Sequence, residues 1–201
     1  MKIKRIIRSV IRFAIALTLI CCACIGYWDS PEYMTEYTFL SNFIVGIFLA
    51  ASALFQLIKK SNIPAVLHLC SVIMLMIGMG ICLSDISGFN FSGIFLFLHI
   101  INPLLVLADW FLFVPAGAIK KPQSVLFVTV LPIVYLVFLF VNGYLTGNYL
   151  YPIFDVTYMG VASVMTTVIV ALIATLLFAY LLYFLNKFFY MRNSKKSNTK
   201  I

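Results

Sequence analysis

The charged residues of this chain fall in short clusters, and long apolar stretches separate the clusters. The 14 Lys and Arg residues lie in four groups, at positions 2–12, 59–60, 120–121 and 187–200. Five of the six acidic residues lie in the alternate gaps, at Asp29, Glu32, Glu36, Asp85 and Asp155. Cytoplasmic loops of membrane proteins carry an excess of Lys and Arg. The pattern therefore predicts six transmembrane helices with both termini in the cytoplasm.

The composition excludes an ordinary soluble domain. The 201 residues are 64% hydrophobic and 10% charged, with a mean hydropathy of +1.10, whereas a soluble domain carries about a quarter charged residues. The flanking clusters account for the net charge of +8, so we expect no nucleic-acid partner. The same clusters attract anionic lipid headgroups. We expect a multi-pass protein of the cytoplasmic membrane whose partners are membrane lipids.

The apolar stretches predict an all-α bundle that forms a single domain over residues 1–186, followed by a basic cytoplasmic tail at 187–201. The predicted spans are residues 10–27, 37–58, 63–84, 92–114, 124–142 and 161–186. The predicted loops are 59–62 and 119–123 on the cytoplasmic side, and 28–36, 85–91 and 143–160 on the outer side. The sequence at 21–24 matches a signal-peptide cleavage site poorly. We therefore expect the first helix to be retained.

The longest outer loop is rich in aromatic residues, namely Tyr144, Tyr149, Tyr151, Phe154 and Tyr158. Aromatic residues are enriched at the membrane–water interface, so the loop is interpreted as an interfacial belt. The alternative is a partly inserted segment that roofs a lipid-accessible pocket.

The cysteines and histidines do not predict a metal site. All five cysteines lie inside predicted spans, where they act as small apolar packing residues, and a disulfide between Cys82 and the group at 21–24 is left open. His68 lies roughly 8 Å from the inner end of the third span, and His99 roughly 10 Å from the outer end of the fourth. The two imidazoles are too far apart to share an ion. We expect no metal and no cofactor, and interpret His68 as hydrogen-bonded to a neighbour.

The fourth predicted helix carries a polar stripe. His99, Asn102 and Asp109 recur at helical spacing and project from one face. Unpaired polar groups facing lipid would cost several kcal/mol, so this face points into the bundle or a wet cavity, where ionisable residues are functional candidates. Pro103 has no amide hydrogen for the carbonyl of His99 and loosens the helix there.

The second predicted helix supplies polar partners at the same depth. Thr38 and Asn42 share a face near its outer end, and Ser41 is a further candidate for lining a pocket. By spacing alone, these residues are either hydrogen-bonded packing residues between helices or part of a site.

Three segments together resemble a known family. They are YTFLSN at 37–42, LHIINP at 98–103 continuing to ADWFLF at 108–113, and YPIFD at 151–155. In this order they are similar to the bacterial branch of the androgen-induced and androgen-dependent membrane hydrolase family. The resemblance covers the second to the sixth helix.

The resemblance implies a fold and an activity. It implies six helices with cytoplasmic termini, and hydrolysis of esters that join a fatty acid to a hydroxy fatty acid. The essential threonine of the animal members matches Thr38, and their essential histidine matches His99. The proline follows His99 one residue earlier here than in the animal members, and the pair Asp109-Trp110 is a feature of the bacterial branch.

The chemistry of these residues agrees with that activity. A threonine hydroxyl becomes a nucleophile when a base takes its proton, and His99 is the histidine at the right depth. Asn42, Asn102 or a backbone amide freed by a helix break are candidate donors to an oxyanion. Asp155 is a candidate acid for orienting His99.

Asp109 is too distant for that role, because ten helical residues span ~15 Å. We expect Asp109 to pair with Gln56, Ser52 or the lysines of the inner side.

We therefore predict hydrolysis of lipidic esters by Thr38 and His99. The alternative is a non-catalytic protein that binds or transports a small or lipidic ligand through the polar face of the fourth helix, with His99 and Asp109 as ligand or relay sites. A scaffold protein without chemistry is a third possibility.

Overall fold

The computed structural model describes residues 2–58, 63–84 and 92–198, without the side chains of residues 2, 84, 190 and 192–198. The predicted loops at 59–62 and 85–91 and the end of the basic tail lie outside this part of the chain. The structure is 87% helical and has no strand among the described residues. The predicted all-α fold is confirmed.

Six helices are long and apolar enough to cross a membrane. They are α1 (Lys2–Gly26), α2 (Tyr37–Ile58), α3 (Ala65–Ser84), α4 (Gly93–Phe113), α5 (Pro122–Thr146) and α6 (Val161–Asn198). The chain is therefore a multi-pass membrane protein.

Three helices extend beyond their predicted ends, and α5 does so by a few residues, at Pro122–Thr146 instead of 124–142. Helix α1 begins at Lys2 rather than at residue 10, and α6 continues to Asn198 rather than ending at residue 186. Neither of the extensions of α1 and α6 contains Gly or Pro, and Lys and Arg are good helix formers. Nothing in these basic segments interrupts a helix that has already started.

Helices α1 and α2 pack closely because Gly46 has no side chain. A Cβ at Gly46 would lie 2.6 Å from Cγ1 of Ile20 and 3.1 Å from the carbonyl oxygen of Ala16. Small residues permit such approach between membrane helices. The main core contains side chains from all six helices, and its fully buried members include Leu19, Leu49, Leu69, Val106, Trp110 and Val125.

Helix α4 contains a π-helical segment at Phe97–Ile101, between α-helical segments at Gly93–Leu96 and Asn102–Phe113. The amide of Asn102 donates to the carbonyl of Phe97, five residues earlier. The carbonyl of Leu98 then lacks its usual donor, and the next residue, Pro103, has no N–H. The side-chain amide of Asn42 donates to that carbonyl across 3.3 Å. The interruption near Pro103 therefore joins α4 to α2 through Leu98, whereas we had expected the effect at His99.

Candidate active site

A cavity of about 290 Å³ lies at the end of the bundle where α2 begins. Its walls come from α2, α3, α4 and the segments that follow α1 and α5. The lining residues are Tyr27, Glu36, Tyr37, Thr38, Gly78, Ile81, Phe95, His99, Leu150 and Tyr151. Both residues predicted to be catalytic therefore line one cavity.

Thr38 and His99 are in contact. Oγ1 of Thr38, in the first turn of α2, lies 3.3 Å from Nε2 of His99, in the π segment of α4. Nδ1 of His99 lies 3.0 Å from the carbonyl oxygen of Phe95. A carbonyl only accepts, so the ring is assigned its hydrogen on Nδ1, which leaves Nε2 to accept from the threonine hydroxyl. The geometry is that of a nucleophile hydrogen-bonded to a base.

The group that orients His99 is the carbonyl of Phe95, a backbone atom. From the sequence we expected a carboxylate in this role and did not predict the backbone carbonyl. A histidine that donates to the carbonyl four residues earlier leaves no residue pattern. The only sequence feature that indicates irregular backbone hydrogen bonding near His99 is Pro103.

Asn42 and Asn102 hold the site together through hydrogen bonds outside the cavity. Nδ2 of Asn42 donates to the carbonyls of Thr38 (2.9 Å) and Leu98 (3.3 Å), and its Oδ1 accepts from Nδ2 of Asn102 across 2.8 Å. Ser41 also donates to the carbonyl of Thr38. None of the three lines the cavity. Their donors serve backbone carbonyls and each other, instead of the oxyanion or pocket-lining roles expected from the sequence.

The backbone amides of the first turn of α2 are the remaining donors near Thr38. The first intrahelical bond of α2 runs from the amide of Leu40 to the carbonyl of Glu36. The amides of Thr38 and Phe39 therefore precede the regular ladder, where a helix has no acceptor of its own. The helix dipole also favours negative charge at this position.

A carboxylate and a phenol stand at the same cavity. The hydroxyl of the buried Tyr27 donates to Oε2 of Glu36 across 2.7 Å. Burial raises the pKa of Glu36, and the hydrogen bond from Tyr27 opposes that rise. Burial, with the neighbouring Glu36 charge, also raises the pKa of Tyr27, while a hydrogen bond with Thr38 opposes it. Neither residue was predicted from the sequence as part of the site, because both lie in the irregular segment before α2, where no helical spacing relates them.

The loop at 143–160 agrees in part with each of its two interpretations. Leu150 and Tyr151 line the cavity, and the hydroxyl of Tyr151 accepts from the backbone amide of Tyr37 across 2.9 Å. Tyr144 and Tyr158 are instead 84% and 80% exposed. Part of the loop thus covers the cavity, and part presents tyrosines outward.

Asp155 does not orient His99. Its Oδ1 accepts from the amides of Thr157 (2.8 Å) and Tyr158 (3.3 Å) and from the hydroxyl of Thr157 (2.6 Å). It caps the one-turn helix Val156–Met159, and the hydrogen bond from the Thr157 side chain lowers its pKa. The residue is also absent from the cavity lining. The expectation that it reaches His99 is corrected accordingly.

Asp109 belongs to a second polar cluster, deeper in the bundle. Nε and Nη2 of Arg12 donate to Oδ1 and Oδ2 of Asp109 across 2.9 and 3.0 Å, and both side chains are buried. Ser52 accepts from Nη1 of Arg12 (3.3 Å) and lies 3.2 Å from Nε2 of His68, whose Nδ1 is 3.7 Å from Oδ2 of Asp109. The expected partners were Gln56, Ser52 or inner-side lysines. Gln56 instead accepts from the hydroxyl of Ser9.

The reason is the face of α1 on which Arg12 lies. We treated Arg12 as part of a flanking cluster, but it is buried on the same face of α1 as Ser9 and Ala16. There its planar guanidinium matches a carboxylate with two parallel hydrogen bonds. A second cavity, of about 200 Å³, adjoins Arg12 and His68.

The five cysteines form no disulfide bond. All five are free thiols, including Cys82 and the three at 21–24. The disulfide left open by the sequence is therefore not formed in this structure.

Comparisons with family models, with curated proteins and with solved structures found no match to this chain. The arrangement of the side chains around the first cavity is thus the basis on which a function is assigned.

Proposed function

We propose that this chain is a membrane hydrolase of amphipathic lipid esters, related to the androgen-induced hydrolases it resembles, in which Thr38 is the nucleophile and His99 the base. The observation that carries the proposal is the 3.3 Å contact between Oγ1 of Thr38 and the unprotonated Nε2 of His99 in the wall of a cavity.

The reaction would take place in two steps. In the first, Oγ1 of Thr38 attacks the ester carbonyl while its proton passes to Nε2 of His99. The tetrahedral intermediate collapses, the alcohol leaves with that proton, and the acyl group stays on Thr38. In the second, His99 takes a proton from water, the resulting hydroxide attacks the acyl-threonine, and the fatty acid is released as Thr38 regains its proton.

Two backbone features support this sequence. The carbonyl of Phe95 holds the imidazole and stabilises the positive charge that forms on it in each step. The amides of Thr38 and Phe39, at the positive end of the α2 dipole, are candidate donors to the oxyanion that forms on the carbonyl oxygen of the ester when Oγ1 attacks.

The cavity walls suit an amphipathic substrate. Ile81, Phe95 and Leu150 provide apolar surface, whereas Thr38, Glu36 and Tyr151 provide polar groups. The positive-inside rule places the basic termini in the cytoplasm, so the cavity opens on the outer side of the cytoplasmic membrane in this proposal.

The geometry favours the hydrolase over a ligand relay through α4. Asp109 is neutralised by a bidentate guanidinium, as in a structural ion pair, and His99 belongs to a different cluster. A relay would need the two residues to act on one path.

The test is covalent labelling of Thr38. Membranes that contain the wild type, Thr38→Ala or His99→Ala are treated with a fluorophosphonate, and the adduct is located by mass spectrometry. We expect labelling of Thr38 in the wild type and its loss in both variants. The control is Thr166→Ala, because that hydroxyl lies on the exposed face of α6 and bonds only its own helix. Unlabelled wild-type protein that is folded and inserted would contradict the proposal.

A further inference from the structure

The cavity that holds Thr38 and His99 contains a carboxyl group, that of Glu36. Of the described residues that line it, Glu36 is the one with a formal charge at neutral pH, apart from the titratable His99. The hydroxyl of Tyr27 donates to the Glu36 carboxylate across 2.7 Å. This length is common for hydrogen bonds between oxygen atoms and also fits an ionised acceptor.

The surrounding sequence provides no compensating cation. The connections at 28–36, 85–91 and 143–160 join the helix ends of this side, and they contain five carboxylates and no Lys or Arg. The conclusion rests on composition, so it holds wherever the loop at 85–91 lies. An anionic group that enters from this side passes carboxylates and no Lys or Arg of these connections.

Aromatic surfaces accompany the carboxylate. Tyr27, Tyr37, Phe95 and Tyr151 all line the cavity with Glu36. Aromatic faces attract cations through the ring quadrupole, most effectively where water is excluded. A carboxylate framed by aromatic rings is the chemistry that recognises an organic ammonium group.

We propose that Glu36 selects the substrate by charge, so that the site prefers esters with a cationic headgroup, accepts uncharged ones and excludes those that carry a carboxylate or phosphate. This inference rests on the proposed hydrolase function and narrows its substrate class. It departs from the resemblance, which implies an ester that bears a free carboxylate.

Binding is measured first, because it does not depend on turnover. The full chain in uncharged maltoside micelles, at about pH 8 where a carboxylate is ionised, is mixed with dodecyl amphiphiles that carry a trimethylammonium, a glycerol or a carboxylate headgroup. The readout is the rise in melting temperature as a function of ligand concentration. We expect apparent affinity in the order cationic, uncharged, anionic.

The variant Glu36→Gln should reduce the preference for the cation over the anion by roughly tenfold, the size expected for one partly screened charge in contact with the ligand. Glu36→Asn gives the same comparison if the first variant folds poorly. The matched control is Glu32→Gln, since Glu32 lies five positions after Tyr27 on the exposed surface of the same segment and outside the cavity lining.

Hydrolysis is then measured with dodecanoyl esters of choline, glycerol and glycolate. The value of kcat/KM should follow the same order, and Glu36→Gln should raise the ratio of kcat/KM for the glycolate ester to that for the choline ester, whereas Glu32→Gln should leave this ratio as in the wild type. Equal binding of the three amphiphiles, a preference for the anion, or equal effects of Glu36→Gln and Glu32→Gln would overturn the inference even if esters are cleaved. The expected binding order without cleavage of any ester would leave this inference standing and contradict the hydrolase.

Discussion

Nδ2 of Asn102 donates to Oδ1 of Asn42 across 2.8 Å, and this bond joins the helix that carries His99 to the helix that carries Thr38. Both asparagines are fully buried. Asn42 also donates to the carbonyls of Thr38 and Leu98. The distance between nucleophile and base is therefore fixed by a hydrogen-bonded support that does not itself contact the cavity.

Replacing Asn42 with Leu should lower both stability and activity. The substitution removes the donor to the buried carbonyl of Leu98, which costs about 1–3 kcal/mol when left unsatisfied, and one of two side-chain donors to the carbonyl of Thr38. We expect a lower melting temperature and slower fluorophosphonate labelling of Thr38. Asn148→Ala is the control, because Asn148 is exposed in the outer loop. Normal labelling by Asn42→Leu would show that the support does not position Thr38.

Substitutions at Thr38 should separate the hydroxyl from the shape of the side chain. Thr38→Ser keeps the nucleophile and should retain ester hydrolysis within roughly tenfold, whereas Thr38→Val keeps the shape and should lose it by at least about a hundredfold. Initial rates on a dodecanoyl ester provide the comparison. Comparable rates for Val and Ser would remove Thr38 from the chemistry and favour a ligand-binding protein.

Breaking the buried ion pair should affect the fold more than the reaction. Arg12→Met leaves the Asp109 carboxylate buried without its partner, which typically costs about 3–5 kcal/mol. The double variant Arg12→Met/Asp109→Leu should recover much of that loss, since replacing a whole buried pair with apolar side chains is often neutral. Denaturant titration in micelles measures both effects.

The same pair distinguishes the hydrolase from a transporter. Asp109→Asn should retain ester hydrolysis in protein that remains folded, because Asp109 lies in a separate cluster from His99. Loss of hydrolysis without loss of folded protein would indicate that the two clusters are coupled.

Glu36 should make stability depend on pH. Burial raises the pKa of Glu36 above its ordinary value of 4.5, so the folded state favours the protonated form. The stability that this preference adds to the folded state is fully present below the ordinary pKa of Glu36, and it is lost as the pH rises through the raised pKa. The melting temperature of Glu36→Gln relative to the wild type should therefore rise between about pH 4 and pH 8, and Glu32→Gln is the control. A pH-independent difference would contradict the raised pKa.

The features that depend on hydropathy and spacing were predictable from the sequence. Six apolar stretches predict six helices, and helical spacing puts Thr38 and His99 at one depth. The partner of Asp109 was not predictable in this way, since a basic residue near a helix end is usually a topology signal, and hydropathy does not show that Arg12 lies on the buried face of α1. Nor was the Phe95 carbonyl, because any residue type supplies that atom.

The contact in the irregular segment before α2 was not predictable for a different reason. Glu36 accepts a hydrogen bond from Tyr27, nine residues earlier, across a 3-10 turn at Pro31–Thr35. No periodic pattern relates two positions in such a segment. The composition of the outer loops does indicate a negative field, but it does not reveal which carboxylate faces the cavity.

The π segment of α4 also separates the orientation of two parts of one helix. A π turn holds one residue more than an α turn, so the residues before Phe97 are rotated by about 100° from the positions that a continuous α-helix would give them. Asp109 and Arg12 fix the azimuth of the deeper half, while Phe95 and Thr38 fix that of the half that carries His99. Deleting one residue of the π segment other than His99 would make α4 a continuous α-helix. The imidazole of His99 would then rotate away from Thr38 about the helix axis, while the Arg12–Asp109 ion pair would keep its position.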